Sequence, residues 1–316
     1  MTRKALALVV IVGALFSGRT FAGDWPHWRG PFLNGAADEK NLPGTWSQTE
    51  TIAWVSPLPG HSGATPVISN GRVFVSSTDS RNTDLLALCF DAGTGKELWR
   101  RKLGTSARKV PRNNMATPSP VTDGKSVYFM YGSGELAGLD YDGNILWTRN
   151  IEAEYGNISI KYGYSSSPLL YDNKLYVLIQ RRHMHYRPPE STTLDAFILA
   201  VNPKTGKNIW KQPRKTDALD GKSSKTLTCL DAKTGTRRWQ AKLGGVGPWR
   251  ASVTAADDKL YCINESAEAV VIAADAKEFK IISRIDMGDK PVQASIAIAD
   301  EHLFIRTASK LFCVGD

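Results

Sequence analysis

The sequence predicts an all-β protein, a β-propeller of four-stranded blades with about five blades and a partial one. Three observations support this prediction: a turn motif that ends in tryptophan and occurs four times, a strand pair that precedes it in each complete unit, and the spacing of these patterns along the chain. Short apolar runs separated by Gly, Asn and Pro continue through residues 51–316, as expected for antiparallel strands. We therefore expect almost no helix after residue 22.

The turn motif starts with an acidic or amide residue, passes through a Gly-containing turn and ends in tryptophan. Its copies span residues 91–99, 140–147, 202–210 and 231–239. Gly in a short turn between apolar runs indicates a β-hairpin, because Gly adopts positive φ without steric cost. Each indole buries on the order of 150–250 Å². The motif tryptophans are therefore assigned a structural role, docking one blade on the next: Trp99, Trp147, Trp210 and Trp239.

A strand pair precedes the turn motif in each complete unit. It consists of a short strand, an Asn/Asp-Gly type turn and a strand rich in β-branched and aromatic residues. Ser or Thr stands at its start in five places: Thr65, Ser119, Ser167, Ser252 and Ser295. Together with the turn hairpin, the pair gives four strands over roughly 40–50 residues, the content of one blade.

The repeat is irregular in one region. Successive motif tryptophans are 48, 63 and 29 residues apart. No strand pair stands between Trp210 and the turn motif at 231–239, and residues 211–225 are polar and basic instead. We expect an incomplete blade around residues 211–244. The ring then either closes with a stunted blade or stays open with exposed sheet faces.

The two ends of the chain are expected to share a blade. The last unit, residues 294–314, supplies about three strands, and the strand at 52–55 has no other unit to join. Propellers often complete one blade with strands from both termini, which protects the sheet edges. Residues 52–55 should therefore form the outer strand of the C-terminal blade.

The turn motif resembles the tryptophan-docking repeat of pyrroloquinoline-quinone (PQQ)-type propellers, Ala-x-Asp-x-x-Thr-Gly-x-x-x-Trp. The segment Asp24-Trp-Pro-His-Trp-Arg-Gly-Pro31, followed by Asn34-Gly35, is similar to the N-terminal signature of secreted bacterial PQQ-like repeat proteins. The repeat is also similar to that of the propeller lipoprotein of outer-membrane protein assembly, which binds partners and does no chemistry. Seven or eight blades are usual in this family, so the chain looks like a shortened ring.

Three segments are predicted: a signal peptide (1–22), an N-terminal extension (23–50) and the propeller domain (51–316). Arg3 and Lys4 precede an apolar run and small residues before Ala22, the pattern of a secretory signal peptide cleaved after Ala22. We therefore expect a periplasmic or secreted protein with no membrane span after cleavage.

The charge distribution argues against a nucleic-acid partner, and the cysteine positions argue against disulfides. Cleavage removes Arg3, Lys4 and Arg19 and no acid, so the net charge falls from +9 to +6. Basic stretches alternate with polar residues and not with aromatics, so no nucleic-acid partner is expected. The four cysteines are predicted to be thiols, since equivalent positions on different blades lie too far apart for disulfides.

Residues just ahead of each innermost strand should lie at one mouth of the central channel. Aligning the units places the candidate ligand-facing residues there: His61, Asn114, Met115, Tyr164, Trp249, Arg250 and Gln293. Aromatic side chains and Arg are frequent anchors of interfaces. We expect a monomeric, non-catalytic binding or scaffold module of the bacterial envelope, with a protein, peptide or glycan partner. The alternative that these residues only fill and hydrate the channel stays open.

The alternative function is a PQQ- and calcium-dependent quinoprotein dehydrogenase, or a fragment of one, as the resemblance allows. Such enzymes use a catalytic Asp, a calcium ion held by carboxylate and amide oxygens, and often an adjacent-cysteine disulfide. The sequence has no Cys-Cys pair and no matching Glu/Asn/Asp set. His183 and His185 could share a metal on one strand face, but the arginines around them favour an exposed hairpin. We expect no catalytic residue, no cofactor and no metal.

Limited trypsin digestion tests the incomplete blade. Residues 214–225 combine several basic residues with no apolar periodicity, so the first cuts should fall at Arg214, Lys215, Lys222 or Lys225. Cleavage would be followed by mass spectrometry of the early fragments. First cuts within residues 64–103, with those four bonds intact, would contradict the missing-strand interpretation.

Overall fold

The computed structural model describes residues 23–106, 108–110, 113–158, 163–179, 196–213, 226–230, 237–275 and 277–315. These residues form strands and turns with one short helix, α1 (Ile151–Tyr155). Asn150 caps α1 by accepting from the amide of Ala153. Within the described ranges no helix is long and apolar enough to cross a lipid bilayer. The prediction of an all-β chain is confirmed.

Three blades, here A, B and C, follow one another along the chain, and each is a four-stranded antiparallel sheet. Blade A contains β2 (Val67–Ser69), β3 (Arg72–Thr78), β4 (Asp84–Asp91) and β5 (Glu97–Thr105). Blade B contains β6 (Val121–Thr122), β7 (Ser126–Met130), β8 (Glu135–Asp140) and β9 (Ile145–Asn150). Blade C contains β10 (Leu169–Tyr171), β11 (Lys174–Ile179), β12 (Phe197–Val201) and β13 (Asn208–Pro213).

The second half of the chain forms one two-stranded unit, hairpin D, and two four-stranded blades, E and F. Hairpin D contains β14 (Thr226–Leu230) and β15 (Arg237–Lys242). Blade E contains β16 (Thr254–Ala256), β17 (Lys259–Ile263), β18 (Glu268–Ala273) and β19 (Ile281–Asp286). Blade F contains β20 (Ala297–Ala299), β21 (His302–Arg306), β22 (Lys310–Val314) and the N-terminal strand β1 (Ile52–Pro57).

The prediction that the two ends of the chain share a blade is confirmed, because β1 is the outer strand of blade F. It pairs antiparallel with β22, with Trp54 opposite Cys313 and Val55 opposite Phe312. The prediction of about five blades and a partial one is also confirmed by the described strands, in which hairpin D has the two outer strands of a blade. The tryptic sites predicted at 214–225 and the histidines at 183 and 185 lie outside the described residues.

Tryptophan side chains join neighbouring units at the outer strands. Each indole nitrogen donates a hydrogen bond to a backbone oxygen in the turn of the next unit. The pairs are Trp54 to Ala92 (2.8 Å), Trp99 to Tyr141 (2.8 Å), Trp147 to Pro203 (2.7 Å) and Trp239 to Asp275 (2.9 Å). Trp54 was not among the motif tryptophans, and it fills the same position for blade F.

Docking explains why the turn motif needs glycine. Gly95, Gly143 and Gly206 have positive φ, and a Cβ on any of them would lie 2.5–2.7 Å from the indole of the preceding unit. A small residue also stands opposite each indole on the neighbouring strand of its own sheet. These residues are Cys89, Gly138, Ala200, Cys229 and Cys313. The four cysteines are free thiols in the structure, and Cys89, Cys229 and Cys313 occupy this packing position.

The N-terminal extension lies against the inner strands of the ring. Trp25 is 0% exposed and exchanges two backbone hydrogen bonds with Ile68 in β2 (2.9 and 3.0 Å). Further along, Ala255 in β16 donates to Gly35 and accepts from Ala37. The extension therefore pairs with blade A and blade E near the turns that follow their innermost strands.

The extension then contacts both blade E and blade F: the Leu42 N–H donates to Asp257 next to β16, and Asn41 donates to Glu301 next to β21. Strand β19 carries no tryptophan at the docking position. Trp46 is buried instead, with its indole nitrogen 3.2 Å from the sulfur of Met287. Ser283 in β19 donates to the backbone oxygen of Gly44. Trp46 thus supplies the aromatic packing that the repeat supplies elsewhere.

Part of blade C is exposed, and the described residues of the following unit, hairpin D, include no inner strand. Strand β10, the innermost strand of blade C, has exposed Leu169 and Tyr171, whereas β2 and β20 are buried throughout. Trp210 is 40% exposed, compared with 7% for Trp99. Apolar side chains next to the incomplete unit therefore lack the covering that a full blade provides.

Replacing Gly95 with Ala tests the docking geometry. The new Cβ would meet the Trp54 ring at 2.5 Å. Displacing the ring should cost roughly 1–3 kcal/mol, in addition to about 1–2 kcal/mol for an L-residue at positive φ. Gly124→Ala is the matched control, since Gly124 has φ +85° and its nearest contact would be 3.9 Å away. Urea unfolding measures both free energies. Equal losses in the two variants would contradict the docking role of the glycine.

Candidate functional site

A chain of Ser and Thr hydroxyls surrounds the channel at the end where the innermost strands begin. In each link, a backbone N–H donates to the hydroxyl oxygen of the next blade, and every residue stands two positions ahead of its innermost strand. The links are Ser252 to Ser295 (2.9 Å), Ser295 to Thr65 (3.0 Å), Thr65 to Ser119 (2.9 Å) and Ser119 to Ser167 (3.0 Å). These hydrogen bonds hold blades E, F, A, B and C in register.

The sequence contained a signal for this chain of hydroxyls. Ser or Thr recurs at one position in all five strand pairs, and Pro follows it in three of them. Sequence reasoning treated the position as a strand start and missed its role between blades. The described links run from Ser252 to Ser167, and hairpin D, which has no innermost strand among the described residues, lies between these ends.

His61 and Asn114, two of the candidate mouth residues, are in contact with each other. The Asn114 side-chain nitrogen donates to the backbone oxygen of His61 and lies 3.4 Å from His61 Nδ1. Asn114 is 3% exposed. Burial and the nearby charge of Arg306 lower the pKa of His61 to about 4, so the ring is neutral at neutral pH.

Met115 and Tyr164 lie at the same end but face inward. Both are buried, at 3% and 1% exposure. The Tyr164 hydroxyl donates to the backbone oxygen of Leu178 in β11 (2.8 Å). A Cβ on Gly132 would lie 3.2 Å from both the Met115 sulfur and the Tyr164 backbone oxygen. These two side chains therefore belong to the buried interior beneath the mouth and not to its exposed surface.

Trp249, Arg250 and Gln293 lie on the blade E and blade F side of the mouth. Arg250 forms an ion pair with Glu265 (2.5 Å) and keeps 47% of its side chain exposed. The Gln293 side-chain nitrogen lies 3.4 Å from the same carboxylate. Trp249 is half-buried and donates to the backbone oxygen of Gly244 (3.0 Å). This group presents an aromatic, a cationic and an amide side chain to solvent.

Three buried polar residues beneath the mouth were not predicted from the sequence. Arg306 ends β21, Ser76 lies in β3, and Tyr131 directly follows β7; all are at most 1% exposed. Burial lowers the pKa of Arg306 to about 9. None of the three belongs to a recognisable motif, and their proximity depends on the closure of the ring.

The donors at the mouth bear on whether calcium and PQQ could bind there. Calcium is bound by six to eight oxygen ligands, usually with several carboxylates. In the part of the chain that the structure describes, no three His, Cys, Asp or Glu side chains come together in a metal-binding group. The carboxylate at the mouth edge, Glu265, is paired with Arg250. These donors do not fit a calcium-quinone site, and the expected absence of a cofactor stays a prediction.

The family model described as "Outer membrane protein assembly factor BamB" matches residues 44–184 and 223–316. The chain belongs to this BamB-like family of PQQ-type repeat propellers. The interval between the two matched stretches contains residues 211–222, where the sequence lacks a strand pair. Family membership and fold thus agree with the resemblance seen in the turn motif.

Individual relatives cover the chain less completely. Tetrathionate hydrolase of Acidithiobacillus ferrooxidans is 27% identical over 173 residues, which are 50% of this chain and 30% of that protein. Among solved structures, BamB from Moraxella catarrhalis has a TM-score of 0.32 at 15% identity, covering 84% of this chain and 73% of its own. A europium-containing methanol dehydrogenase has a TM-score of 0.43 at 11% identity, covering 84% and 58%.

A further likeness concerns the fold alone. A chain in the crystal structure of the mitotic checkpoint complex has a TM-score of 0.52 at 12% identity, covering 89% of this chain and 97% of that one. By contrast, this chain spans less than a third of the curated relative that it matches.

Ser119→Ala tests the chain of hydroxyls. The substitution removes the acceptor for the backbone N–H of Thr65, a residue 3% exposed. An unsatisfied buried N–H costs about 1–3 kcal/mol, so the free energy of unfolding should fall by that amount. Ser80→Ala, at an exposed position in the β3–β4 turn, is the control and should change little. If the two variants unfold at the same urea concentration, the hydroxyl links do not stabilise the ring.

Proposed function

We propose that this protein is a non-catalytic binding or scaffold propeller of the bacterial cell envelope. Its partner, a protein, peptide or glycan, would bind at the channel mouth through Trp249, Arg250 and Gln293. The main observation in favour is the Trp249–Arg250 pair, a partly exposed aromatic next to a partly exposed arginine at the edge of the mouth. Trp and Arg are enriched among residues that dominate binding energy.

The frame around this pair favours binding with little reorganisation. Glu265 donates its backbone N–H to the oxygen of Pro248, and Val292 donates to the oxygen of Glu265. The segments ahead of β16 and β20 are therefore both attached to the β17–β18 turn. A surface that is ordered before binding loses less conformational entropy on association.

The relatives support a binding role in part. The family description names an assembly factor, whereas the curated relative is named as a hydrolase and shares a limited stretch with this chain. A repeat motif reports the fold and not the chemistry. Since the described residues hold no metal-binding group of three His, Cys, Asp or Glu side chains, and the Trp249–Arg250 pair suits a partner, binding is the function that this geometry supports best.

Site-specific photocrosslinking tests the proposal. A benzoylphenylalanine in place of Gln293 should capture one reproducible partner in cells, and the same group in place of Lys125 should not. Lys125 is an exposed residue in the β6–β7 turn, at the opposite end of the strands. In a protein with the crosslinker at Gln293, Arg250→Ala should reduce the yield of that adduct several-fold. Equal crosslinking from the Lys125 position would contradict the mouth as the binding surface.

A cofactor titration tests the enzymatic alternative directly. The purified protein would be mixed with PQQ and calcium, separated from free quinone, and assayed for dye reduction with alcohols and aldose sugars. We expect no stoichiometric quinone absorbance and no activity. A bound quinone with substrate-dependent dye reduction would replace the scaffold proposal with a dehydrogenase.

A further inference from the structure

A cluster of buried hydrogen-bond donors lies beneath the mouth, where blades F, A and B meet. We define it by Arg306, Ser76, Tyr131 and His61. One side-chain atom of each residue is buried and has no hydrogen-bond partner among the described residues: Arg306 Nε, Ser76 Oγ, Tyr131 Oη and His61 Nε2. Buried polar groups are nearly always satisfied in proteins, so four such atoms in one region require an explanation.

The contacts of Arg306 place its guanidinium at the centre of the cluster. Nη1 donates to the backbone oxygen of Ser76 (2.5 Å). Nη2 donates to the backbone oxygen of Gly60 (3.1 Å) and lies 3.4 Å from Ser77 Oγ. Gly60 directly precedes His61, whose pKa is lowered by burial and by the charge of Arg306.

Tyr131 joins the cluster from blade B: the next residue, Gly132, donates to the backbone oxygen of Met115, and Met115 follows Asn114, whose side chain donates to the backbone oxygen of His61. Burial raises the pKa of Tyr131 well above its ordinary value, Glu135 adds to this, and the charge of Arg306 acts in the opposite direction. The Arg306 and Tyr131 side chains are therefore within electrostatic range of each other, and both hydroxyl and guanidinium are protonated at neutral pH.

All four unpaired atoms can donate a hydrogen bond. The amide nitrogen of Asn114 lies 3.4 Å from His61 Nδ1, and an amide nitrogen cannot accept. His61 Nδ1 therefore acts as the acceptor in the neutral ring, which assigns the proton to Nε2. The Ser76 and Tyr131 hydroxyls and Arg306 Nε–H are donors by their chemistry.

No carboxylate neutralises Arg306 within the described part of the chain. Asp289, which affects the pKa of His61, accepts from Thr307 and Ser309. Glu135 accepts from Ser133 and Asn150. Neither forms an ion pair with Arg306 among the described contacts. An unpaired buried charge is costly to fold, and Arg306 is 1% exposed.

We propose that this donor cluster binds one small free carboxylate anion. A carboxylate offers two oxygens with about four lone-pair sites, which matches four donors, and its charge neutralises Arg306. The near-complete burial of Arg306, Ser76 and Tyr131 restricts the ligand to a small ion and excludes a polypeptide. This site is separate from the partner surface of Trp249 and Arg250, and it stands whether or not that surface binds a partner.

Thermal unfolding in sodium formate tests the site. Sodium gluconate at the same ionic strength is the control, because gluconate is too bulky for the buried site. Binding to the folded state alone stabilises by mass action. The midpoint temperature should therefore rise by about 2–4 °C for each tenfold increase of formate above its dissociation constant. The same series with sodium bromide separates a carboxylate site from a simple halide site.

Two tyrosine variants give the structural control. Tyr131→Phe removes an unpaired hydroxyl, so it should leave the midpoint in gluconate unchanged or higher and should reduce the formate-dependent rise by at least half. Tyr164→Phe removes the hydroxyl that donates to Leu178. It should lower the midpoint in both salts and leave the formate-dependent rise intact.

Three outcomes would overturn the proposal. The first is no formate-dependent rise beyond that in gluconate, which would leave the four donors to ordered water. The second is an equal rise with bromide, which would indicate a general anion site. The third is a Tyr131→Phe protein that keeps the full rise. The proposal is supported if formate raises the midpoint more than bromide does and Tyr131→Phe loses that rise. This result does not depend on the outcome of the crosslinking at the mouth.

Discussion

The fold depends on one contact, an indole docked on the turn of the next unit. Its nitrogen donates to a turn carbonyl at 2.7–2.9 Å in four places around the ring. In three of them the indole lies against a turn glycine, where a Cβ would enter the indole ring, and a small residue stands opposite the indole. This contact also explains how the ring tolerates hairpin D. The hairpin has the two outer strands of a blade, and its Trp239 still docks on Asp275 of blade E.

The inner parts of neighbouring blades are joined by hydroxyl hydrogen bonds and not by indoles. Hydroxyl links between neighbouring blades need an innermost strand in each unit, and hairpin D has none among the described residues. An indole contact thus joins hairpin D to blade E, whereas the described hydroxyl links end at Ser167 and Ser252. Leu169 and Tyr171 in β10, the innermost strand of blade C, are exposed, as expected where no neighbouring inner strand is described.

Local sequence patterns were sufficient to predict the blades, but they could not predict the contacts between segments that are distant in sequence. Turn glycines, motif tryptophans and the strand at 52–55 follow from short-range chemistry and constant spacing, so the number of units and the closure were predictable. Trp46 was not, because its partner Met287 is 241 residues away and no repeat relates them. For the mouth, aligning units placed the seven candidate residues at one end, but it could not show that Asn114, Met115 and Tyr164 are buried. Arg306 was not predicted from the sequence, because its contacts form only where blades F and A meet.

Closure of the ring and the charge of Arg306 are therefore coupled. The seam between blades F and A contains an apolar part, where Trp54 docks on Ala92, and a polar part, where Ser295 donates to Thr65. Arg306 crosses the polar part to reach Ser76, 230 residues away in sequence. Burial lowers its pKa, which means that closure disfavours the charged form. Opening the seam would return the guanidinium to water, so the buried charge opposes the docking and hydroxyl contacts beside it. Any group that neutralises Arg306 in place would stabilise the closed ring at the seam, where the first and last blades meet.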